Sequence, residues 1–436
     1  MTTNTALTPI SPTERVFTWN THASLWFSMG VGLLVMQMGA LLVPALGSRD
    51  AVLAILFGSL IGSALLAWMA KLGADRGLSS AALIHLTYGQ KFAHLPVFLN
   101  VVQLVGWTMF ELVIMRDGIL AISKHSFGWD LDHPVGIAGA TLLLGAVLTL
   151  MLSGNMTTTV RKILNRYALP LVVLSLTWLT WRFSQQLVNT GISSFWQRSG
   201  NGEMSLLSGM DLVIAMPISW LPLVADYARY GRSGRGAFAG TWLGYSLANI
   251  WCYALGLLAA SVAPPTADLV TALLLAQGGL FALGLILLDE IDNAYGDLYS
   301  GAVSSHSIAP KFSVRQWSLG LAVVCTGLAM FLPMRRLEDF LLILSSVFVP
   351  LFGVILGRLG GTPAQTASAS RTSRPIDWSA AALWLAGIIG YQALIYLELP
   401  WGATLPTLAA SFALAWLTRQ KSGLIARSPK TTAERL

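Results

Sequence analysis

Between Leu287 and Asp297 the chain reads Leu-Leu-Asp-Glu-Ile-Asp-Asn-Ala-Tyr-Gly-Asp, four carboxylates and a carboxamide in an otherwise apolar neighbourhood. Read as helix, Asp289, Asp292 and Asn293 share a face and Asp297 follows a turn later. In lipid each ionisable group costs about 2.5–3.5 kcal/mol on insertion scales, so such groups normally face a cavity or a partner. Carboxylates this close are protonated, paired or ion-bound, which makes the run, and Asp289 first within it, the place to look for coupling to an ion. A second set, Gln103, Trp107 and Glu111, recurs at i, i+4 and i+8 and so lies near one helical face. An indole offers a stacking surface for a flat ring, a carboxylate accepts two hydrogen bonds from an amino-pyrimidine edge, and Asn293 both donates and accepts. Together these residue types suit a nucleobase-like solute better than a sugar or a lipid.

Two backbone interruptions stand five spans apart. Ser28-Met29-Gly30-Val31-Gly32 breaks the first apolar stretch, and Met216-Pro217-Ile218-Ser219-Trp220-Leu221-Pro222 breaks the sixth. Proline removes a helix hydrogen bond and clashes with the preceding turn. Unwound backbone inside a membrane is tolerated where it lines a cavity, and matched breaks in two halves mark a transporter's binding site. Glycines alone could equally serve close helix packing, and isolated prolines could merely kink. The pairing favours a site containing Ser219 and Trp220.

The elements that would carry these residues follow from composition. Of 436 residues, 55% are hydrophobic and 11% charged, with a mean hydropathy of +0.65, whereas ordinary soluble chains carry roughly a quarter charged residues. At about 20 residues per span the length accommodates roughly twelve transmembrane helices. They are expected near 24–46, 51–72, 95–122, 134–153, 168–184, 207–228, 237–262, 280–303, 316–333, 340–357, 378–395 and 400–418. Met1 to Arg15 is polar and lacks the order of a cleaved signal peptide. Residues 269–288 could form a rival span, but Pro264-Pro265 and Gly278-Gly279 bracket a stretch of about three turns, so a short external helix is expected there. The eighth span then begins near Leu280 and carries its acids at mid-membrane depth. The expected organisation is a cytoplasmic segment 1–23, a ten-helix core 24–357, a Gly/Ser/Thr-rich linker 358–377, two peripheral helices 378–418 and a cytoplasmic tail 419–436.

Net charge is +7, but the basic residues are scattered through short loops, which argues against a nucleic-acid partner and for charge sorting across a membrane. One side collects Arg15, Lys71, Arg76, Lys91, Arg161, Lys162, Arg166, Arg229, Arg232, Arg235, Lys311 and Arg315; the other has few. Positive residues stay inside, so both termini are expected in the cytoplasm of an inner or plasma membrane protein. Cys252 and Cys325 show no paired spacing. His22, His85, His94, His125, His133 and His306 all fall at or near span ends, so no metal-ligand set or cofactor is expected. An intramembrane enzyme, a channel and a solute sensor are the rival classes; saturable, gradient-dependent uptake separates a transporter from the last two.

The run from Ser219-Trp220-Leu221-Pro222 through Asp226-Tyr227-Ala228-Arg229-Tyr230-Gly231-Arg232 resembles the nucleobase-cation symporter family of the purine-cytosine permease type, and more narrowly its hydroxymethylpyrimidine permeases. Gly106-Trp107, Asp292-Asn293-Ala294, Tyr299-Ser300 and Val349-Pro350-Leu351-Phe352-Gly353 add to it. The resemblance implies an all-α membrane fold of two inverted five-helix repeats plus two helices, and cation-driven alternating access. Solute would lie between spans one, three, six and eight. It implies Trp107 stacking on the base, Glu111 contacting it, and Asp292 or Asn293 bonding it. It implies a cation, often sodium, bound between spans one and eight; the coupling set expected in this chain is Asp289 with Ser28, Gly30 and Asp226, and a proton carried by Asp289 is the alternative ion. The chain departs from the family's pattern by Pro217 where relatives carry the second stacking aromatic. It departs again by Leu287, Leu288 and Asp289 where they carry sodium-binding hydroxyls. Cytosine, purine and hydantoin are the alternative solutes, and a monomer is compatible with all of this.

Overall fold

The structure, a computed structural model, describes residues 6–153, 169–264, 267–331, 337–361, 374–397 and 401–423. The basic segment with Arg161, Lys162 and Arg166, most of the 358–377 linker, Pro265 and the tail beyond residue 423 lie outside them. Among the described residues the regular structure is helical, with one isolated parallel bridge between Phe17 and Gly231. In order come α1 (Trp19–Ser28), α2 (Leu33–Leu41), α3 (Ser48–Arg76), α4 (Ser80–Tyr88), α5 (His94–Phe127), α6 (Pro134–Leu152) and α7 (Leu169–Thr190). There follow α8 (Ile192–Gln197), α9 (Leu206–Ser219), α10 (Leu221–Ala228), α11 (Gly234–Val262), α12 (Leu269–Leu275) and α13 (Gly279–Ile308). The chain continues with α14 (Val314–Ala329), α15 (Leu337–Leu359), α16 (Trp378–Tyr396) and α17 (Thr404–Gly423).

Helix starts are written in the sequence. Thr18 with Thr21 and Ser313 with Gln316 form capping boxes at α1 and α14, and Ser205, Ser233, Asp268 and Asp377 cap α9, α11, α12 and α16. The short external helix expected before span eight is α12. It ends at Leu275, and Gly278, at φ 78°, supplies the left-handed turn that starts α13.

Among the described residues seven helices are long and apolar enough to cross a membrane: α3, α5, α6, α9 with α10, α11, the Asp339–Leu359 part of α15, and α16; α1 with α2, bent by 62°, makes an eighth. Helix α13 is excluded from that set by its own acids and α14 by its 16 residues. Large apolar side chains such as Val135, Leu150, Phe281, Val323 and Ile389 stand exposed on the outside, the arrangement lipid demands. The two interruptions differ. Between α1 and α2 four residues leave the helix and the axis turns sharply, whereas between α9 and α10 only Trp220 intervenes.

Both interrupted spans are clasped by small-residue faces. A Cβ on Gly240 or Gly244 of α11 would strike the backbone of Trp19 or Ala23 in α1, and one on Gly30 would lie 2.8 Å from Ala248. On α3, Gly58, Gly62 and Gly73 meet Val213, Pro217 and Ala225 of α9 and α10 in the same way. Without a hydrophobic driving force in lipid, such close backbone approach is what holds helices together.

Candidate functional site

The break in span one is closed by α13. Gly32 has no side chain to cap α2, and the Leu33 N–H donates instead to Glu290 Oε1 at 2.5 Å. Asn293 Nδ2 donates to the Val31 carbonyl at 3.2 Å and to Glu290 Oε2 at 3.1 Å. One step along α13, Ser28 Oγ donates to Asp289 Oδ1 at 2.7 Å, at the last residue of α1. A carboxylate at a helix N-terminus meets both free N–H groups and the positive end of the helix dipole. A side chain at residue 32 has no room, since its Cβ would sit 2.9 Å from Glu290 Oε1.

Against this junction lies a small cavity of about 20 Å³ lined by Met29, Gly32, Leu34, Val35, Trp107, Glu111, Met216, Ser219, Trp220, Glu290, Asn293 and Asp297. That is space for about one water molecule, so a ring enters only as the helices part. Its polar lining is under-used: Trp107 Nε1, Glu111 Oε2, Asn293 Oδ1 and Asp297 Oδ2 are buried without a hydrogen-bond partner. One donor and three acceptors are therefore free to meet a ligand. Lysine, arginine and histidine are missing from this lining. Trp107 is held edge-on by Phe340, ring centres 5.4 Å apart, and Trp220 edge-on by Trp26 at 6.0 Å.

Of the residues singled out from sequence, Trp107, Glu111, Ser219, Trp220 and Asn293 meet at this cavity. The Ser219 hydroxyl is spent on the Met216 carbonyl, at 2.7 Å. Six others are not part of its lining: Ser28 and Asp289, bonded to each other, and Gln103, Asp292, Asp226 and Gly30. Gln103 donates to Asn100 Oδ1 at 3.0 Å, in a cluster where Asn100 reaches Ser304 and the Pro222 carbonyl. Asp292 does not share the cavity face with Asn293: at about 100° per residue it lies roughly 140° round the helix from Asp297. Asp226 accepts from Ser80 N at 2.9 Å and from the Ser300 hydroxyl, tying α10 to α4 and α13. Gly30 packs on Ala248. Glu290 and Asp297, which sequence reasoning does not single out as solute contacts, also line the cavity, and 290, 293 and 297 follow the i, i+3, i+7 rule of one helical face.

Comparison with known proteins decides the family. The model of a family described as permease for cytosine/purines, uracil, thiamine, allantoin matches residues 9–417. The chain belongs to that family, the nucleobase-cation symporters. It is a transporter. A cytosine permease of Escherichia coli O157:H7 is 24% identical over 325 residues, 74% of this chain and 73% of that one. A purine-uracil permease of Arabidopsis thaliana is 27% identical over 143 residues, covering 32% of this chain and 24% of that protein. Among solved structures, Mhp1, a nucleobase-cation-symport-1 family transporter in a closed conformation with bromovinylhydantoin bound, superposes with a TM-score of 0.82 at 16% identity, over 98% of this chain and 97% of that one. A Na+-coupled sialic acid symporter shares the fold more distantly, with a TM-score of 0.59 at 12% identity, covering 95% of this chain and 92% of that one.

Proposed function

We propose that this nucleobase-cation symporter imports a small aminopyrimidine, hydroxymethylpyrimidine or a close relative, by alternating access. In this reading twelve spans form two inverted five-helix repeats plus α16 and α17, with both termini in the cytoplasm and the solute held at the break in span one. The observation that carries it is the cavity itself: two indoles, with Glu111, Asn293 and Asp297 presenting unpartnered acceptors to a ring edge rich in N–H groups. Ser28 with Asp289, bonded across α1 and α13 just beyond the cavity, is the proposed coupling pair for a sodium ion or a proton. The test is uptake of labelled hydroxymethylpyrimidine by cells expressing the chain, with and without sodium and pH gradients, against excess cytosine, uracil, adenine and hydantoin. Saturable uptake blocked by cytosine but not by uracil or hydantoin supports the aminopyrimidine edge. Absence of uptake with the protein present in the membrane contradicts it.

A further inference from the structure

We propose that the solute is bound as a cation, the conjugate acid of an aminoheterocycle, so that a proton crosses on the solute itself. This rests on the aminopyrimidine reading above and deepens it. Glu111, Glu290 and Asp297 all line one small cavity. Only Glu290 has both carboxyl oxygens engaged by donors, Leu33 N and Asn293 Nδ2. Glu111 Oε2 and Asp297 Oδ2 have no hydrogen-bond partner, and neither has Asn293 Oδ1 in the same lining. A buried carboxylate without a partner is costly, and a positive charge is the partner that repays it.

Among the described residues no cationic side chain lines the cavity. Arg116, five residues along α5 from Glu111, is committed to Asp117 at 2.8 Å and to the Ala329 carbonyl at 3.1 Å. Arg229, at the end of α10, is committed to the hydroxyls of Tyr299 and Tyr230. Other titratable groups around the cavity are Asp289, bonded to Ser28, Asp292, Tyr227, Tyr245 and Cys252 of α11, and Cys325 of α14, and none of these is a cation. Trp107 and Trp220 point the same way, since indole faces attract positive charge through their quadrupole. A protonated aminopyrimidine answers every feature at once: a delocalised positive charge, a flat ring and amino hydrogens for the free acceptors.

The probes are 4-aminopyrimidine, 1-methyl-4-aminopyrimidinium, whose charge is fixed, and neutral pyrimidin-4-one, each titrated against the purified full-length protein between pH 5 and 8. Expected is binding of the fixed cation at least tenfold tighter than pyrimidin-4-one, and 4-aminopyrimidine affinity that falls as rising pH deprotonates the solute while the fixed cation's does not. Glu111→Gln and Asp297→Asn should each shrink the cation's advantage over pyrimidin-4-one about tenfold. Pyrimidin-4-one binding as tightly as the fixed cation overturns the cationic solute and leaves the importer standing. No binding by any probe to folded protein overturns both.

Discussion

Glu290 holds two positions in the fold: its carboxylate caps α2 through Leu33, and the same side chain lines the cavity. Whatever binds beside it therefore acts on the joint of the interrupted span. Replacing a helix cap with alanine costs about 0.5–2 kcal/mol, so Glu290→Ala is expected to lower the thermal midpoint of the detergent-solubilised protein and slow transport, with Glu290→Gln recovering part of both. Glu111→Gln exchanges a charged acceptor for a mixed donor and acceptor; hydrogen bonds to charged groups contribute about 1.5–3 kcal/mol. Affinity for an aminopyrimidine should fall about tenfold to a hundredfold while the amount of protein in the membrane stays the same, measured by competition for labelled solute. At this scale the sequence was partly legible. Trp107 and Glu111 fell on one face by simple counting, and both line the cavity. Gln103, by the same counting, belongs to the Asn100 cluster, because helix periodicity gives a residue's direction but not where along that face a cavity ends. Glu290 was hidden because its partner is a backbone N–H of a distant helix, and backbone donors carry no signature in sequence.

Among the elements, the short helix α12 and the start of α13 were legible from Gly278-Gly279, and the interruption at Met29–Gly32 from its glycines. The second interruption is milder than two prolines suggest: Pro222 sits in the first turn of α10, where its missing N–H costs nothing, leaving Pro217 as the single proline inside a helix of that span. Gly32 and Gly284 make a controlled pair. A Cβ at Gly32 meets the Glu290 carboxylate, whereas a Cβ at Gly284 meets nothing within 4 Å. Gly32→Ala should cost about 1–3 kcal/mol by overpacking and abolish transport, and Gly284→Ala should match the parent in the same uptake assay. Coupling belongs to this scale too, because Ser28 and Asp289 join α1 to α13. Asp289→Asn is expected to leave solute binding in place and remove the dependence of uptake on a sodium gradient, while the pH dependence carried by the solute persists; persistence of the sodium dependence would make the pair structural.

For the molecule as a whole, the small-residue faces of α11 and α3 are the surfaces on which, in the proposed alternating access, the two interrupted spans would move. The last two helices are fastened to the rest at defined points. Trp384 Nε1 donates to the Val347 carbonyl at 2.8 Å, and Asp211 of α9 accepts from the backbone of Ala403 and Thr404 at the start of α17. At the cytoplasmic end expected from the positive-inside pattern, Arg358 meets Asp377 at 2.7 Å. Burial alone would raise the Asp377 carboxyl, but the Arg358 charge and the Ala380 N–H outweigh it and hold the group below its ordinary value of 3.8. A depressed carboxyl contributes stability that is complete above its unfolded value and lost as pH falls through the folded one. Attachment of α16 should therefore loosen only below about pH 4, and Asp377→Asn should remove that step from a pH series of proteolytic cleavage at the 358–377 linker. Charge sorting and hydropathy made the membrane class legible from the outset. The fastening points were not, because each joins residues far apart in the chain.

The central claim is that the solute sits between Trp107, Glu111 and α13 at the break in span one, and equilibrium binding of labelled hydroxymethylpyrimidine to the purified protein tests it most directly. Saturable binding by the parent chain, lost in Trp107→Leu and weakened at least tenfold in Glu111→Gln while both variants keep the parent's thermal midpoint, is the predicted result. Equal binding by all three proteins would contradict the account and move the site away from this cavity.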